Sequence, residues 1–495
     1  MLRVQMPRRP RRRSATQLAP MTHPTLLGGL ALGCEIAGLF TAVKAIMDTR
    51  TSQGAIAWAV SLIALPYVAV PAYWVFGRAK FAGYVTKRRA ELLKTSAVAR
   101  KLAEEFDRQR MQTKAGRSEE LLLERLAKLP FTAHNRAELL IDGAATFAAI
   151  FAAIATAQEY VLVQFYIIRE DGIGRRLRDA LIARAQAGVR CLVLFDEMGS
   201  GRLNEYCAEL RAAGVEIAPF NTTKGTSNRF QLNFRNHRKI VVVDGRVAFV
   251  GGHNVGDEYL GLDPKIGPWR DTHVQVEGPV VQCVQVAWIE DWHWATGDTP
   301  SNLNWKPTGA REGCVGALCL ASGPADELET ATLFFLHAIH SARERLWIAS
   351  PYFVPDEQFI SALQLAALRG VDVRILTPEK PDHPLVWLSA FSYLPETEIV
   401  GIKWYRHRAG FMHQKVMLVD DDYCAIGTAN FDNRSFRLNF EITMVFYEHA
   451  FAHQVAAMFE RDFAGSTLAR AHELTDASFW FRLKVRVARL MAPVQ

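Results

Sequence analysis

A pattern that recurs about 180 residues apart is the feature of this 495-residue chain that most limits its fold. The first copy holds Val161–Tyr166, a helical run from Ile173 to Ala187, and a second apolar run from Ala187 to Phe195. The second copy holds Leu346–Tyr352, a helical run from Asp356 to Arg369, and an apolar run from Arg369 to Leu376. Each reads as buried strand, amphipathic helix, buried strand, which is a βαβ unit in a parallel or mixed sheet covered by helices. The expected fold class is therefore α/β, with two halves able to pack as a pseudo-dimer. An apolar content of 49% against 22% charged residues supplies the core such a fold needs and excludes a disordered or low-complexity chain.

Further along, each copy carries His-x-Lys, then four residues, then Asp. The first set is His237, Lys239 and Asp244; the second is His413, Lys415 and Asp420. Both lead into an apolar strand, Ile240–Val243 and Val416–Val419. The register persists, with Gly251 and Asn254 lying 14 and 17 residues after His237, and Gly427 and Asn430 lying 14 and 17 after His413. Side chains two apart on a strand project from one face, so each His and Lys point together. If the halves pair, two imidazoles, two ammonium groups and two amides converge.

That set suits a phosphodiester. Lys239 and Lys415 neutralise its non-bridging oxygens, and Asn254 and Asn430 donate hydrogen bonds to them. One histidine attacks phosphorus while the other protonates the leaving oxygen. A carboxylate must hold each ring in its working state, and Asp271 and Glu441 occupy comparable places after the two motifs. Asp244 and Asp420 complete the two catalytic motifs, but at the far ends of their strands they are expected to hold local backbone or side-chain hydrogen bonds and not to do chemistry directly. A metal site is not expected, because a lysine beside each histidine repels a cation and no spaced His/Cys cluster exists. His253, His273, His293, His337 and His340 read as ordinary residues, and Trp288, Trp292 and Trp294 as core packing.

The N-terminal region reads as a membrane anchor. Gly54–Phe76 has no charged side chain over 23 residues, enough to cross a bilayer as a helix, with Pro66 and Pro71 as kinks. The preceding apolar stretch, 26–47, contains Glu35 and Lys44 and is the weaker span. Six Arg within residues 1–20 and a basic cluster at Arg78, Lys80, Lys87, Arg88 and Arg89 flank the pair, which puts both ends of the hairpin in the cytoplasm. The formal net charge is +7, and without the six tail arginines it is +1, so the body of the chain is not a nucleic-acid polycation. Seven scattered cysteines with no CxxC pair fit a reducing compartment. At the other end, Phe479, Trp480, Leu483, Val487 and Leu490 recur at helical spacing with Arg482, Arg486 and Arg489 on another face. Two readings stay open there: a helix lying on an anionic bilayer, or a surface helix packed on the body.

The HxKx4D motif, present twice with Gly-x-x-Asn after each, resembles the two-domain members of the phospholipase D superfamily. Asn236–Gly245, Gly251–Tyr259, Pro268–Thr272, Ser350–Pro355 and Gly427–Ser435 are similar to bacterial cardiolipin synthases of that type, as is the two-span hairpin with Ala57-Trp58 and Pro66. The resemblance covers about residues 30–490 and departs at Thr428, where many members carry Ser. It implies two phospholipase D-like α/β/α lobes sharing one active site, a phosphohistidine intermediate, and no cofactor or metal. It further implies His237 as nucleophile and His413 as acid then base, with phosphatidylglycerol as donor and acceptor and cardiolipin and glycerol as products. The motifs themselves are equivalent and do not order the two histidines. The implied partners are phosphatidylglycerol and anionic lipids of a bacterial inner membrane, not nucleic acid. A hydrolytic phospholipase D is the nearest alternative, and a nucleic-acid phosphodiesterase a further one. The expected segments are a basic tail (1–23), a transmembrane hairpin (24–77, spans about 26–47 and 54–76), and a charged linker (78–130). Two phospholipase D-like domains (131–310 and 311–478) and the basic amphipathic segment (479–495) complete the chain.

Overall fold

The computed structural model describes residues 23–49, 51–77, 100–113, 118–220, 233–380 and 382–494. Most of the Arg-rich tail, and the basic cluster from Arg78 to Arg89, lie outside the described residues. The chain divides into two compact units, 1–78 and 79–495.

The first unit holds α1 (His23–Asp48), α2 (Ser52–Ala64) and α3 (Pro66–Phe76). The apolar stretch 54–76 is therefore two helices and not one continuous span. Pro66 has no N–H to give and its ring excludes the preceding turn; α2 ends at Leu65, whose N–H closes on Ser61 O at 2.8 Å. Pro71, by contrast, sits inside α3 without ending it. Among the described residues one helix, Gly28–Asp48, is long and apolar enough to cross a membrane, so the stretch expected to be the weaker span is the one with the required length. The unit is apolar outside, and three of its five buried apolar residues are alanines. Leu39, Phe40, Val43, Val60 and Val68 are exposed, while Ala42, Ala45, Leu62, Ala69 and Tyr73 are buried between the helices. Gly38 permits the close approach, since a Cβ there would lie 2.5 Å from the Leu62 carbonyl. Small residues at the helix contact and large apolar ones facing out is the arrangement expected in lipid.

The second unit is built on a 16-stranded mixed sheet. Its strands in chain order are β1 (Thr132–Ile141), β2 (Tyr160–Phe165), β3 (Arg190–Asp196), β4 (Glu216–Phe220), β5 (Ile240–Val243), β6 (Val247–Gly251), β7 (Thr272–Glu277) and β8 (Val315–Ser322). They continue with β9 (Arg345–Ala349), β10 (Asp372–Pro378), β11 (Lys403–His407), β12 (Val416–Val419), β13 (Tyr423–Gly427), β14 (Asn439–Tyr447) and β15 (Ser466–Ala469). The short strand Arg235–Asn236 is the sixteenth and pairs with β14. Across the sheet the order is β4-β3-β2-β5-β6-β7-β1, then β8-β14-β13-β12-β9-β10-β11-β15. The second run repeats the first outward from the antiparallel β1–β8 junction, where Thr132 faces Ala317.

Helices cover both faces. β2, β5 and β12 are buried at every position, so neither side of these strands can face water. On one face, α4 (Asp142–Thr156) and α5 (Gly172–Gln186) pack Phe147, Ile150, Leu177 and Leu181 onto Val161, Val163 and Val241. The Asp171 carboxylate caps α5, accepting from Gly174 N–H at 3.1 Å. The opposite face is covered by α6 (Val280–Thr296), whose Trp288 and Trp292 stack at 5.1 Å within the core. In the second run, α7 (Thr330–Ser341) and α8 (Glu357–Leu368) take the places of α4 and α5. Helix α9 (Pro384–Phe391) comes next, α10 (His449–Ala464) stands where α6 did, and α11 (Phe479–Arg489) follows near the end.

Candidate active site

Backbone pairing carries each motif histidine to its partner. The strand Arg235–Asn236 runs parallel to Asn439–Phe440, and the N–H of His237 donates to Phe440 O at 2.9 Å. The next residue on β14 is Glu441, whose side chain lies alongside the imidazole. Phe411–Met412 likewise runs parallel to Trp269–Arg270, the N–H of His413 donates to Arg270 O at 2.8 Å, and the next residue is Asp271. His237 Nδ1 is 2.9 and 3.1 Å from the two Glu441 oxygens. His413 Nδ1 is 2.7 Å from Asp271 Oδ2. Each ring is thus held by a carboxylate from the other copy of the repeat. In a neutral ring Nδ1–H donates to the carboxylate, which leaves the Nε2 lone pair free for chemistry.

Both carboxylates are buried and braced, by different means. Glu441 accepts from Thr428 Oγ1 at 2.6 Å and Asn439 Nδ2 at 3.1 Å. Asp271 Oδ1 accepts the N–H of Thr272 at 2.7 Å. Gly252 stands where Thr428 stands in the other copy, and a Cβ there would be 2.0 Å from Asp271 Oδ1. The shorter carboxylate therefore lies against a glycine, and the longer one receives a hydroxyl.

Lys239 and Lys415 are buried, and each folds its ammonium onto the carbonyl of its own motif histidine, at 2.7 and 2.5 Å. Burial pushes Lys415 down to about 8 against the pull of Asp271 and Glu441, and pushes Lys239 well below its usual value. Burial also lowers His237 to about 4, with Glu441 opposing and both lysines adding to the fall. His413 falls well below 6.5 from burial and from the charges of Lys415, Lys239 and His237. Burial would raise Glu441, but His237, Lys239 and the Thr428 hydroxyl outweigh it and hold it below the ordinary carboxylate value. Charges from each copy act on the histidine of the other, so the two motifs face one site.

The remaining sequence-derived residues sit around or away from this centre. Asn254 is committed to the scaffold, donating from Nδ2 to Tyr259 Oη at 2.8 Å and accepting at Oδ1 from Ile167 N–H at 3.1 Å. Asn430 Oδ1 is buried with no hydrogen-bond partner among the described residues. Asp244 and Asp420 lie at the opposite ends of β5 and β12, in left-handed turns at φ +53° and +50°. Asp244 accepts the N–H groups of Gln158, Glu159 and Tyr160, each at 2.8 Å. Asp420 accepts those of Arg343, Glu344 and Arg345 at 2.8–3.0 Å. Each therefore ties its hairpin turn to the start of the strand beside it, β2 or β9.

Sequence reasoning missed a second pair of acids, one behind each histidine. Asp291 on α6 takes Arg238 at 3.0 Å, Asn236 at 2.8 Å and Gln164 at 2.7 Å. Asp462 on α10 takes Arg270 through two bonds of 2.8 Å and Gln414 at 2.8 Å. The only signal was a polar residue, Arg238 or Gln414, between the His and the Lys just before an apolar strand. His253 and His273, read as ordinary, form a buried pair with Nδ1 atoms 3.4 Å apart, and burial lowers both to about 3. Among the described residues no group of three or more His, Cys, Asp or Glu is arranged to hold a metal ion.

Two histidines cross-braced by carboxylates at the centre of a duplicated α/β sheet define a phospholipase D-like fold and site. Comparison with known proteins bears on this. Residues 150–264 and 335–463 match the family model described as cardiolipin synthase, PLD-like domain, and residues 36–78 match the phospholipase D-nuclease N-terminal model. Cardiolipin synthase A of Pseudomonas aeruginosa (strain LESB58) is 47% identical over 482 residues, 96% of this chain and 97% of that protein. Cardiolipin synthase A of Pseudomonas entomophila (strain L48) is 47% identical over 95% of this chain and 99% of that protein. Among solved structures, phosphatidylserine synthase of Haemophilus influenzae Rd KW20 aligns with a TM-score of 0.57 at 15% identity, over 77% of this chain and 100% of that one, a likeness of fold. The chain belongs to the phospholipase D-like cardiolipin synthase family, and so is a phosphatidyltransferase.

Proposed function

We propose that this protein makes cardiolipin by moving a phosphatidyl group from one phosphatidylglycerol to another through a phosphohistidine. The observation that carries the reading is the reciprocal pairing of His237 with Glu441 and of His413 with Asp271. It supplies two equally prepared imidazoles in one cationic site, as two successive displacements at phosphorus require. Following the family's order, His237 Nε2 attacks phosphorus, the P–O bond to the glycerol headgroup breaks, and His413 gives that oxygen its proton. His413 then takes the proton from a glycerol hydroxyl of the second phosphatidylglycerol. That oxygen attacks phosphorus, releasing cardiolipin and free His237. Lys239 and Lys415 hold the non-bridging oxygens. In the empty site burial, and after it the charges of Lys415, Lys239 and His237, push His413 toward its neutral form; the arriving phosphodiester anion opposes those charges and so favours the protonated ring that the leaving oxygen needs. Asn430 donates from its amide nitrogen to a non-bridging oxygen. Asn254, Asp244 and Asp420 hold the frame around it. No metal or other cofactor takes part, since two ammonium groups stand where a cation would.

In this reading the halves of the sheet, about 131–310 and 311–478, are two α/β/α lobes of a pseudo-dimer. The mirrored strand order about the β1–β8 junction supports it. Helices α1 to α3 form a hairpin through a bacterial inner membrane with both ends cytoplasmic, the charged segment 78–130, whose Leu102, Phe106 and Leu123 are buried in the lobes' cores, joins it to them, and nucleic acid is not a substrate. The test is purified protein in vesicles of labelled phosphatidylglycerol, with and without EDTA. Cardiolipin and free glycerol in equal amounts, unchanged by EDTA, are expected. Phosphatidic acid in place of cardiolipin would make the protein a hydrolase, and loss of activity restored by a divalent ion would overturn the metal-free mechanism.

A further inference from the structure

Helix α11 has two apolar faces, and among the described residues only one of them is packed. The inner face anchors it: Val485 and Ala488 are buried, Phe481 meets Phe391 of α9 edge-on at 5.4 Å, and Arg489 pairs with Glu396 and lies over the Tyr393 ring. At 100° per residue, Phe479, Trp480, Leu483, Val487 and Leu490 fall in a stripe on the opposite side. That stripe is open to solvent, with Trp480 69% and Leu490 78% exposed. Lys484 borders the stripe on one edge, Arg486 and Arg482 on the other. From residue 477 to the end of the chain there is no acid. An apolar stripe rimmed by cations on both edges, on a helix already fixed to the body, matches the boundary between acyl chains and anionic headgroups.

The support beneath α11 leads to the site. Helix α9, on which α11 rests, supplies Trp387, Ala390 and Phe391 to an apolar cleft whose polar end is Tyr352, Asp382 and His383. The Tyr352 hydroxyl donates to Asp382. The Ser350 hydroxyl donates to Tyr352 O at 2.6 Å, and Ser350 and Lys415 line one small cavity, which puts this end of the cleft beside the second motif.

We propose that α11 is an interfacial helix: its outer face lies in an anionic bilayer, independently of the N-terminal anchor, and holds the mouth of the α9 cleft against the lipid from which substrate enters. The reading goes beyond the reaction, since the contact is made whether or not the enzyme turns over.

The test is spectroscopic and uses the full chain. With Cys34→Ser and Cys314→Ser, a spin label is placed at Val487→Cys and the protein is reconstituted in vesicles. In phosphatidylglycerol-containing vesicles the label is expected to be reached by oxygen and shielded from a water-soluble nickel chelate. The immersed fraction is expected to fall in pure phosphatidylcholine. In the Arg482→Gln/Lys484→Gln/Arg486→Gln variant the affinity of the helix for the anionic surface should drop on the order of five-fold per charge. A label equally open to the nickel chelate in both vesicles would overturn the proposal. So would spin–spin broadening that survives dilution in lipid, which would mean that a second copy covers the face. Immobilisation without preference for oxygen would assign the face to another part of this chain. No outcome depends on catalysis, so a failure here is distinguishable from a failure of the proposed reaction.

Discussion

Exchanging Glu441 for Gln removes one charge from the site and almost nothing else. The carboxylate is fully buried and accepts from His237 Nδ1, Thr428 Oγ1 and Asn439 Nδ2. Gln keeps the length of the side chain and one oxygen for Nδ1–H. Its amide NH2 faces the Thr428 oxygen, which can accept while its own hydroxyl turns to Ile442 O, now 3.3 Å away. The fold therefore has a way to tolerate the change. The chemistry does not, because a phosphorylated imidazole is cationic and Glu441 is the counter-charge in contact with it. Breaking a buried, hydrogen-bonded ion pair costs about 3–5 kcal/mol. At about 1.4 kcal/mol per decade, that predicts turnover lowered on the order of 10²- to 10⁴-fold. The assay is pre-steady-state release of glycerol from phosphatidylglycerol vesicles, which reports formation of the phosphoenzyme, run beside thermal unfolding. Glu441→Gln should slow the glycerol burst with a Tm close to that of the parent. A variant that folds normally and keeps a tenth or more of the burst rate would refute the role given to the pair.

The other predictions separate chemistry from scaffold. His237→Ala and His413→Ala should each abolish cardiolipin formation while the protein still inserts in membranes, and appreciable turnover by either would sink the two-histidine mechanism. Asp244→Ala should do the reverse: three backbone N–H groups lose their acceptor, costing about 1–3 kcal/mol of stability, while turnover per folded molecule, measured at reduced temperature, stays near that of the parent. Stability should fall on acidification from about pH 6.5 to 4. His237 is held near 4, and His253 and His273 near 3, so the unfolded chain binds protons in that window that the folded chain refuses. His273→Leu should flatten the dependence of Tm on pH by about one proton, and an unchanged slope would contradict that assignment. On the alkaline side, kcat/KM should be half lost no later than about pH 8, where Lys415 gives up its charge. A flat profile to pH 10 would show that the lysines stay charged in the free enzyme.

Much of this protein is written in its periodicities. The two βαβ units and the buried strands after each motif follow from alternation along a strand and from repetition, both of which are local; the motif His and Lys lie just before those strands, outside them. The choice of Asp271 and Glu441 as the ring-holding acids was also available, because the two occupy comparable places after their motifs. What periodicity does not contain is which copy serves which. The parallel pairing of Arg235–Asn236 with β14, and of Phe411–Met412 with Trp269–Arg270, delivers each carboxylate to the histidine of the opposite copy. That is a contact between residues 142 and 204 positions apart. The acids Asp291 and Asp462 were hidden for the same reason, since a single Asp on a largely apolar helix shows no partner until the sheet packs against it. The N-terminal segment shows the opposite limit. Its apolar composition was plain, but whether Pro66 bends a span or divides it depends on backbone groups that composition does not report.

Sequence alone thus determined the kind of chemistry, the duplicated α/β plan and the residues equipped for both, because residue type and spacing fix what a strand face can present. Tertiary structure alone decided the exchange of carboxylates, the depth at which the lysines and histidines lose their charge, and which face of α11 remained uncovered. Each of these depends on what is brought against a side chain from far along the chain, and no local pattern records it.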